Sequence, residues 1–242
     1  MKLRVMICAM VAGAALFADD TTSPTFGMIR VTDANSCNTI LGVPWKNISD
    51  DGNATLSNLV STANLETGDI VYLYENDTWC GYELSAAGVW EALTTVNGTT
   101  IVNPESADVK RLARGAGLII QRAHNTNPIY LCGRLDDTTP TATTIAASST
   151  VLFANPLTTT KTISSEGASG DQIRVLKDNG GTTIYEKNAS GVWGTYVEQQ
   201  AEGRGGRPGK ITRTWTPGCT LAPGMGAWYV SGTAGTSITW GN

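Results

Sequence analysis

The chain has 242 residues, 41% hydrophobic and 16% charged, with a formal net charge of −4 and one histidine. The apolar share supports a real core, and the low charge argues against a disordered chain or a coiled coil. The negative balance excludes nucleic acid as a main partner, and the length allows one or two domains.

Residues 1–18 read as a secretory signal peptide. Lys2 and Arg4 form a positive start, residues 5–17 are uncharged and apolar, and Ala18 precedes Asp19-Asp20. The apolar run is shorter than the ~20 residues a membrane-spanning helix needs, and a buried N-terminal helix does not require this order of charge, apolar run and small residue. Cleavage is expected after Ala18, with Ala14 and Ala15 as alternatives. It removes Lys2 and Arg4 and leaves a net charge of −6. No later stretch is apolar enough to span a membrane, so the mature chain is expected outside the cell or on its surface.

Residues 19–35 are a polar extension with a strand-like segment at 27–31 that is free to pair with a neighbouring molecule. Residues 36–135 form a first β unit. In it, Leu56, Leu59 and Val60 give residues 55–63 helical spacing, the one short helix expected. Residues 70–74 and 78–84 read as a hairpin across Asn76-Asp77. Residues 117–122 and 128–135 read as a second hairpin across residues 125–127. Residues 136–149, rich in Thr, Ala and Ser, are expected to be an extended, solvated linker. Residues 150–242 form a second β unit, with a Thr/Ser-rich loop at 158–169, a Gly-rich turn at 178–181 and a last hairpin of 227–231 with 237–240.

The two units carry the same phrases in the same order. Gly68-Asp69 is echoed by Gly170-Asp171, and Tyr82-Glu83 with Gly88-Val89-Trp90 by Tyr185-Glu186 with Gly191-Val192-Trp193. Leu112 with Gly115-Ala116-Gly117 is echoed by Leu221 with Gly224-Met225-Gly226. The offsets are about 102–112 residues, and an ordered series of this kind marks an internal repeat. The predicted fold is all-β: two tandem β-sandwich-like repeat units with at most one short helix.

These phrases, ending in Pro223-Gly224-Met225-Gly226-Ala227-Trp228, resemble secreted tandem-repeat β proteins of the Planctomycetes–Verrucomicrobia group of bacteria. The resemblance spans most of residues 36–242; the first unit departs from it with Arg114 in place of the proline and Leu118 in place of the aromatic residue. It implies export and a repeated β architecture; the family has no assigned activity.

Chemistry-bearing residues are sparse. The histidine, His124, falls at an expected hairpin tip and the sequence has no Gly-x-Ser-x-Gly elbow, so no catalytic constellation is visible and no cofactor is expected. The four mature cysteines, Cys37, Cys80, Cys132 and Cys219, have no metal-ligand spacing; their even number points to two disulfides worth ~2–4 kcal/mol each. Cys37 and Cys132 flank the first unit without counterparts in the second, which favours that pair and leaves Cys80 and Cys219 to bridge units or chains. Asp50, Asp51 and Asn53, with Asp136-Asp137, are candidate calcium ligands, against the competing reading of a polar turn. Arg204, Arg207 and Lys210 lie in a Gly-rich basic loop that lacks the pattern of a phosphate-binding loop. Asn-x-Ser/Thr sequons stand at Asn47, Asn53, Asn76, Asn97 and Asn188.

Trp90, Trp193, Trp228 and Trp240 sit at matched apolar positions and are expected in cores. Trp79 has no match; with Tyr82 it is a candidate sugar platform, although strand alternation sets the two on opposite faces. The reading that follows is a secreted, non-catalytic structural subunit that self-associates into a surface layer, filament or matrix. The alternative is a carbohydrate-binding or adhesion module using Trp79, Tyr82 and the Arg204, Arg207, Lys210 loop on a polysaccharide.

Overall fold

Short apolar-alternating segments bounded by Gly, Asn and Asp make the regular structure of the described chain almost entirely strand, joined by turns and loops. The computed structural model describes residues 26–31, 39–43, 52–75, 78–96, 98–100, 105–123, 127–134, 140–176, 181–200 and 211–241. The first half carries β1 (Phe26–Val31), β2 (Thr39–Gly42), α1 (Leu56–Leu59), β3 (Val60–Ser61), a 3-10 turn at Thr62–Asn64, β4 (Ile70–Glu75) and β5 (Thr78–Leu84). It continues with β6 (Trp90–Ala92), β7 (Thr95–Val96), β8 (Thr99–Thr100), β9 (Gly117–Gln121) and β10 (Ile129–Arg134). The second half carries β11 (Thr141–Ile145), β12 (Thr150–Ala154), β13 (Lys161–Thr162), β14 (Gln172–Leu176) and β15 (Thr182–Lys187). After these come β16 (Trp193–Gln200), β17 (Ile211–Pro217), β18 (Thr220–Leu221), β19 (Gly226–Val230) and β20 (Thr236–Trp240).

The main sheet of the first half runs β2-β9-β4-β5-β6, and that of the second runs β12-β19-β14-β15-β16-β17. The two orders correspond strand for strand until β17, which has no partner in the first list. A smaller sheet, β1-β10-β3 in the first half and β11-β20 in the second, covers each main sheet. Between them lie two cores. Val71, Leu73, Tyr82, Leu118 and Ile120 meet Ile129, Leu131 and the α1 residues Leu56 and Leu59 in one. Phe153, Ile173, Trp193 and Tyr229 meet Ile145, Ile238 and Trp240 in the other. Trp90 and Trp193 are buried in the first and second cores respectively, where they were expected.

The β4–β5 hairpin forms as predicted, with Tyr74 opposite Trp79 and Glu75 opposite Thr78. The other two predicted hairpins do not. β9 pairs with β2 and β4 while β10 pairs with β1 and β3; likewise β19 pairs with β12 and β14 while β20 pairs with β11. The chain arches across each core between sheets, because both strands of each pair need their apolar faces covered: Leu118 and Ile120 look across at Ile129 and Leu131. At the first arch, buried Asp69 accepts from Ala123 N–H at 2.6 Å and Arg122 Nε at 3.0 Å, so the chain turns away where a hairpin ladder would have continued.

Three further boundaries move. β1 pairs within its own chain along β10, from Phe26–Arg134 to Val31–Ile129, so the strand-like segment of the extension is the edge strand of the smaller sheet, with one side taken by β10. Thr141–Ile145, inside the expected linker, is β11 on β20, with Ile145 in the second core. The helix expected over 55–63 is split: α1 ends at Leu59 and β3 intervenes before the 3-10 turn.

The halves meet through their main sheets. Leu41 bridges Met225 while Ala116 bridges Phe153, and Gly42 N–H donates to Gly224 O as Ala154 N–H donates to Gly115 O, each at 2.9 Å. This reciprocal backbone contact needs glycine: a Cβ on Gly117 would stand 2.7 Å from Leu152 Cγ, and one on Gly42 would collide with the Ala154 methyl. Tyr72, Ile119 and Leu152 are buried at the same junction, on the faces of the sheets that point away from the two cores.

Candidate functional site

The junction opens into a cleft. On β4 and β5, Tyr72, Tyr74 and Trp79 alternate away from the first core; on β19 and β14, Trp228 and Arg174 alternate away from the second. Their rings meet edge-to-face. The centroids of Tyr74 and Trp79 are 5.1 Å apart, those of Tyr74 and Trp228 5.3 Å, and those of Trp79 and Trp228 5.6 Å. Such T-shaped pairs contribute about 0.5–1.5 kcal/mol each beyond area burial. Tyr74, Trp79 and Trp228 stay half-buried at the margin. They line a cavity of about 370 Å³ together with Thr150, Arg174 and Val230. A second cavity, of about 560 Å³, continues from Tyr74 and Thr150 past Glu75, Arg114 and Thr143. Lys110 forms a close ion pair with Glu75 there, and Arg114 is 8% exposed. Gln172 Oε1 braces Arg174, accepting from Nε at 3.2 Å and Nη2 at 2.8 Å.

Trp79 is thus on an aromatic surface, but Tyr82 is not. Tyr82 points into the first core and is fully buried, and burial pushes its phenol far above the ordinary range. The two-residue period of β5 separates them, and the partners of Trp79 come instead from β4 and β19. Tyr74, Arg174 and Trp228 were missed as a group. The available signal was an aromatic pair at outward positions of strands whose inward positions were already apolar. The link to β19 was not readable, because it arises only when the halves dock.

The cysteines do not pair as expected. Cys80, Cys132 and Cys219 are free thiols; Cys80 packs against the first core and Cys219 is buried within the second, so the Cys80–Cys219 bridge does not form. Burial, with the charge of Glu166 adding, pushes the Cys219 thiol up to about 12, and burial raises Cys132. Cys37 lies outside the described residues, as do residues 1–18, Asp50, Asp51, His124, Asp136, Asp137 and the loop of Arg204, Arg207 and Lys210. Asn53 is exposed and its carbonyl accepts from Arg111 Nη1 at 2.8 Å. Among the described residues no group of three or more His, Cys, Asp or Glu is placed to hold a metal, and no helix is long and apolar enough to cross a membrane.

Asp69, Asp171 and Lys187 are buried and satisfied within the fold, whereas the buried Tyr82 Oη and Trp90 Nε1 have no hydrogen-bond partner among the described residues. Asp69 takes Arg122, Ala123 N–H and Glu66 N–H. Asp171 takes Tyr229 Oη at 2.7 Å, Ala168 N–H and Gly232 N–H at 2.8 Å. Lys187 Nζ donates to the carbonyls of Ser165, Glu166 and Gly167 at 2.8–2.9 Å. These groups fix loops.

The second half also extends an arm. β15 pairs with β16 only at Glu186–Gly194 and Lys187–Trp193, whereas β16 and β17 stay paired from Gly194–Pro217 to Gln200–Ile211. From Thr195 on, the ribbon leaves both outer edges unpaired among the described residues. Tyr196 is 56% and Val197 42% exposed, and the Trp215 ring packs on Tyr196 at 4.8 Å. A Cβ on Gly194 would meet the Trp215 ring, which lies over it.

Comparison with protein-family models, with curated proteins and with solved structures found no match.

Proposed function

We propose that the chain is an exported, non-catalytic structural subunit that assembles with its own copies into an extracellular layer, filament or matrix. The observation that carries this is the β16–β17 arm. A two-stranded ribbon standing clear of its sheet is marginally stable alone, and its open edges are templates for another strand. Exposed Tyr196 and Val197 add apolar area where a neighbour would pair. The signal-like residues 1–18 support export, and the matching strand orders of the two main sheets support an internal duplication with an added strand, β17, at the assembly edge.

The test is negative-stain electron microscopy and sedimentation of residues 19–242 across a concentration series. Ordered polymers or oligomers are expected, and Tyr196→Lys with Val197→Lys, both exposed, returns them to monomers. Monomers of the parent at every concentration, or unchanged assembly of the double variant, would overturn the proposal.

A further inference from the structure

We propose that the cleft between the two halves binds an acidic polysaccharide, one built from uronic-acid units. Its floor is set by register. Leu152, Trp228, Arg174 and Ile184 are successive cross-strand partners on one face of the second main sheet. They form a row that crosses strands at steps of about 4.8 Å, near the length of one pyranose. At the inner end of the row, Tyr74 and Trp79 rise from the first sheet against Trp228, so a chain lying on the row enters an aromatic corner. The negative faces of these rings attract the polarised C–H groups on the face of a pyranose.

The acid follows from charge. Arg174 is exposed, and Gln172 is its hydrogen-bond partner among the described residues. Gln172 uses two of its N–H groups, and a guanidinium has five. The planar fork matches a carboxylate bidentately. Further along, Arg114 lines the adjoining cavity, where Lys110 neutralises the one carboxylate on the wall, Glu75. A chain whose net charge is −4 therefore presents the exposed Arg174 guanidinium at this cleft, with no unneutralised carboxylate among the residues lining the two cavities. The hydroxyl of Thr150, shared by both cavities, completes a lining suited to sugar hydroxyls.

The cleft shares no residue with the β16–β17 arm, so failure here leaves the assembly proposal standing, and the reverse holds. The experiment is calorimetric titration of the full mature chain with tetragalacturonate, and with cellotetraose as the uncharged counterpart. Saturable binding of tetragalacturonate is expected, at least about tenfold tighter than cellotetraose and weakened by salt. Arg174→Gln, at an exposed position that leaves the fold intact, removes that preference. Trp228→Ala weakens both ligands; Trp79→Phe, which keeps a ring in the corner, retains the preference for the acid and controls for a general loss of folding. Absence of saturable tetragalacturonate binding, equal binding of the two by the parent, or a preference that survives Arg174→Gln would each overturn the proposal.

Discussion

Asp69 and Asp171 stand at corresponding places, directly before β4 and β14, the third strands of sheets of matching order, yet they are satisfied by different chemistry. Asp69 faces a guanidinium and Asp171 a phenol. The contrast extends to the surrounding loop. In the first half the segment before the aspartate fills its space with Leu56 and Leu59 on α1. In the second, residues 163–170 hold their place by hydrogen bonds: Lys187 to three carbonyls, Trp193 Nε1 to Glu166 O and Gly167 N–H to Thr236 Oγ1. One frame accommodates either apolar burial or a closed polar network, provided its buried charges are paired and hydrogen-bonded.

The sharpest test of the contrast removes charge from each aspartate. Asp69→Asn leaves Arg122 buried without its carboxylate and is expected to cost about 3–5 kcal/mol. Asp171→Asn weakens three bonds from neutral donors and is expected to cost about 1–3 kcal/mol. Adding Arg122→Met to Asp69→Asn recovers part of the loss, because the uncompensated cation is gone. Urea midpoints read all three. Equal costs at the two aspartates would mean that the guanidinium does not set the difference.

A smaller effect comes from copying one half into the other. Leu84 pairs with Trp90 as Lys187 pairs with Trp193. Lys187→Leu therefore gives the second half the residue of the first and strands the carbonyls of Ser165, Glu166 and Gly167. The expected loss is about 1–3 kcal/mol by urea denaturation. No loss would show that water satisfies those carbonyls and that the ammonium is dispensable.

How much of this was readable differs between the halves for the same reason. Alternation in residues 70–74 and 78–84 gave the β4–β5 hairpin and the facing of Tyr82, because a two-residue period carries its own geometry. The strand 117–121 was readable as a strand but not in its pairing: Leu118, Ile119 and Ile120 are all buried, so no polar face marks which partner lies on which side. β11 was hidden because its alternation is Thr and Ala, with a single large apolar residue, Ile145, reaching the core. The Trp79 surface was half legible. Its aromatic and its strand were in the sequence, but Trp228 and Arg174, 149 and 95 residues further along the chain, reach it only through the docking of the two halves.

The smallest expected effect probes the polar loop through its own carboxylate. Burial raises the Glu166 acid, but its own backbone N–H, that of Ser164 at 2.9 Å and the Lys161 ammonium at 3.6 Å outweigh it, and the group is held below the usual 4.5. A carboxylate whose folded value is depressed adds stability that is fully present above the unfolded value and is lost as pH falls through the folded one. The advantage of the parent over Glu166→Gln is therefore expected to hold from neutral pH down to about 5 and to shrink below it, within about 1 kcal/mol for a pair still reached by solvent. Urea midpoints of both proteins at stepped pH measure it. An advantage that grows on acidification would mean that burial prevails over the three donors, and that the loop of the second half is held by Lys187, Trp193, Thr236 and Asp171 without help from the Glu166 carboxylate.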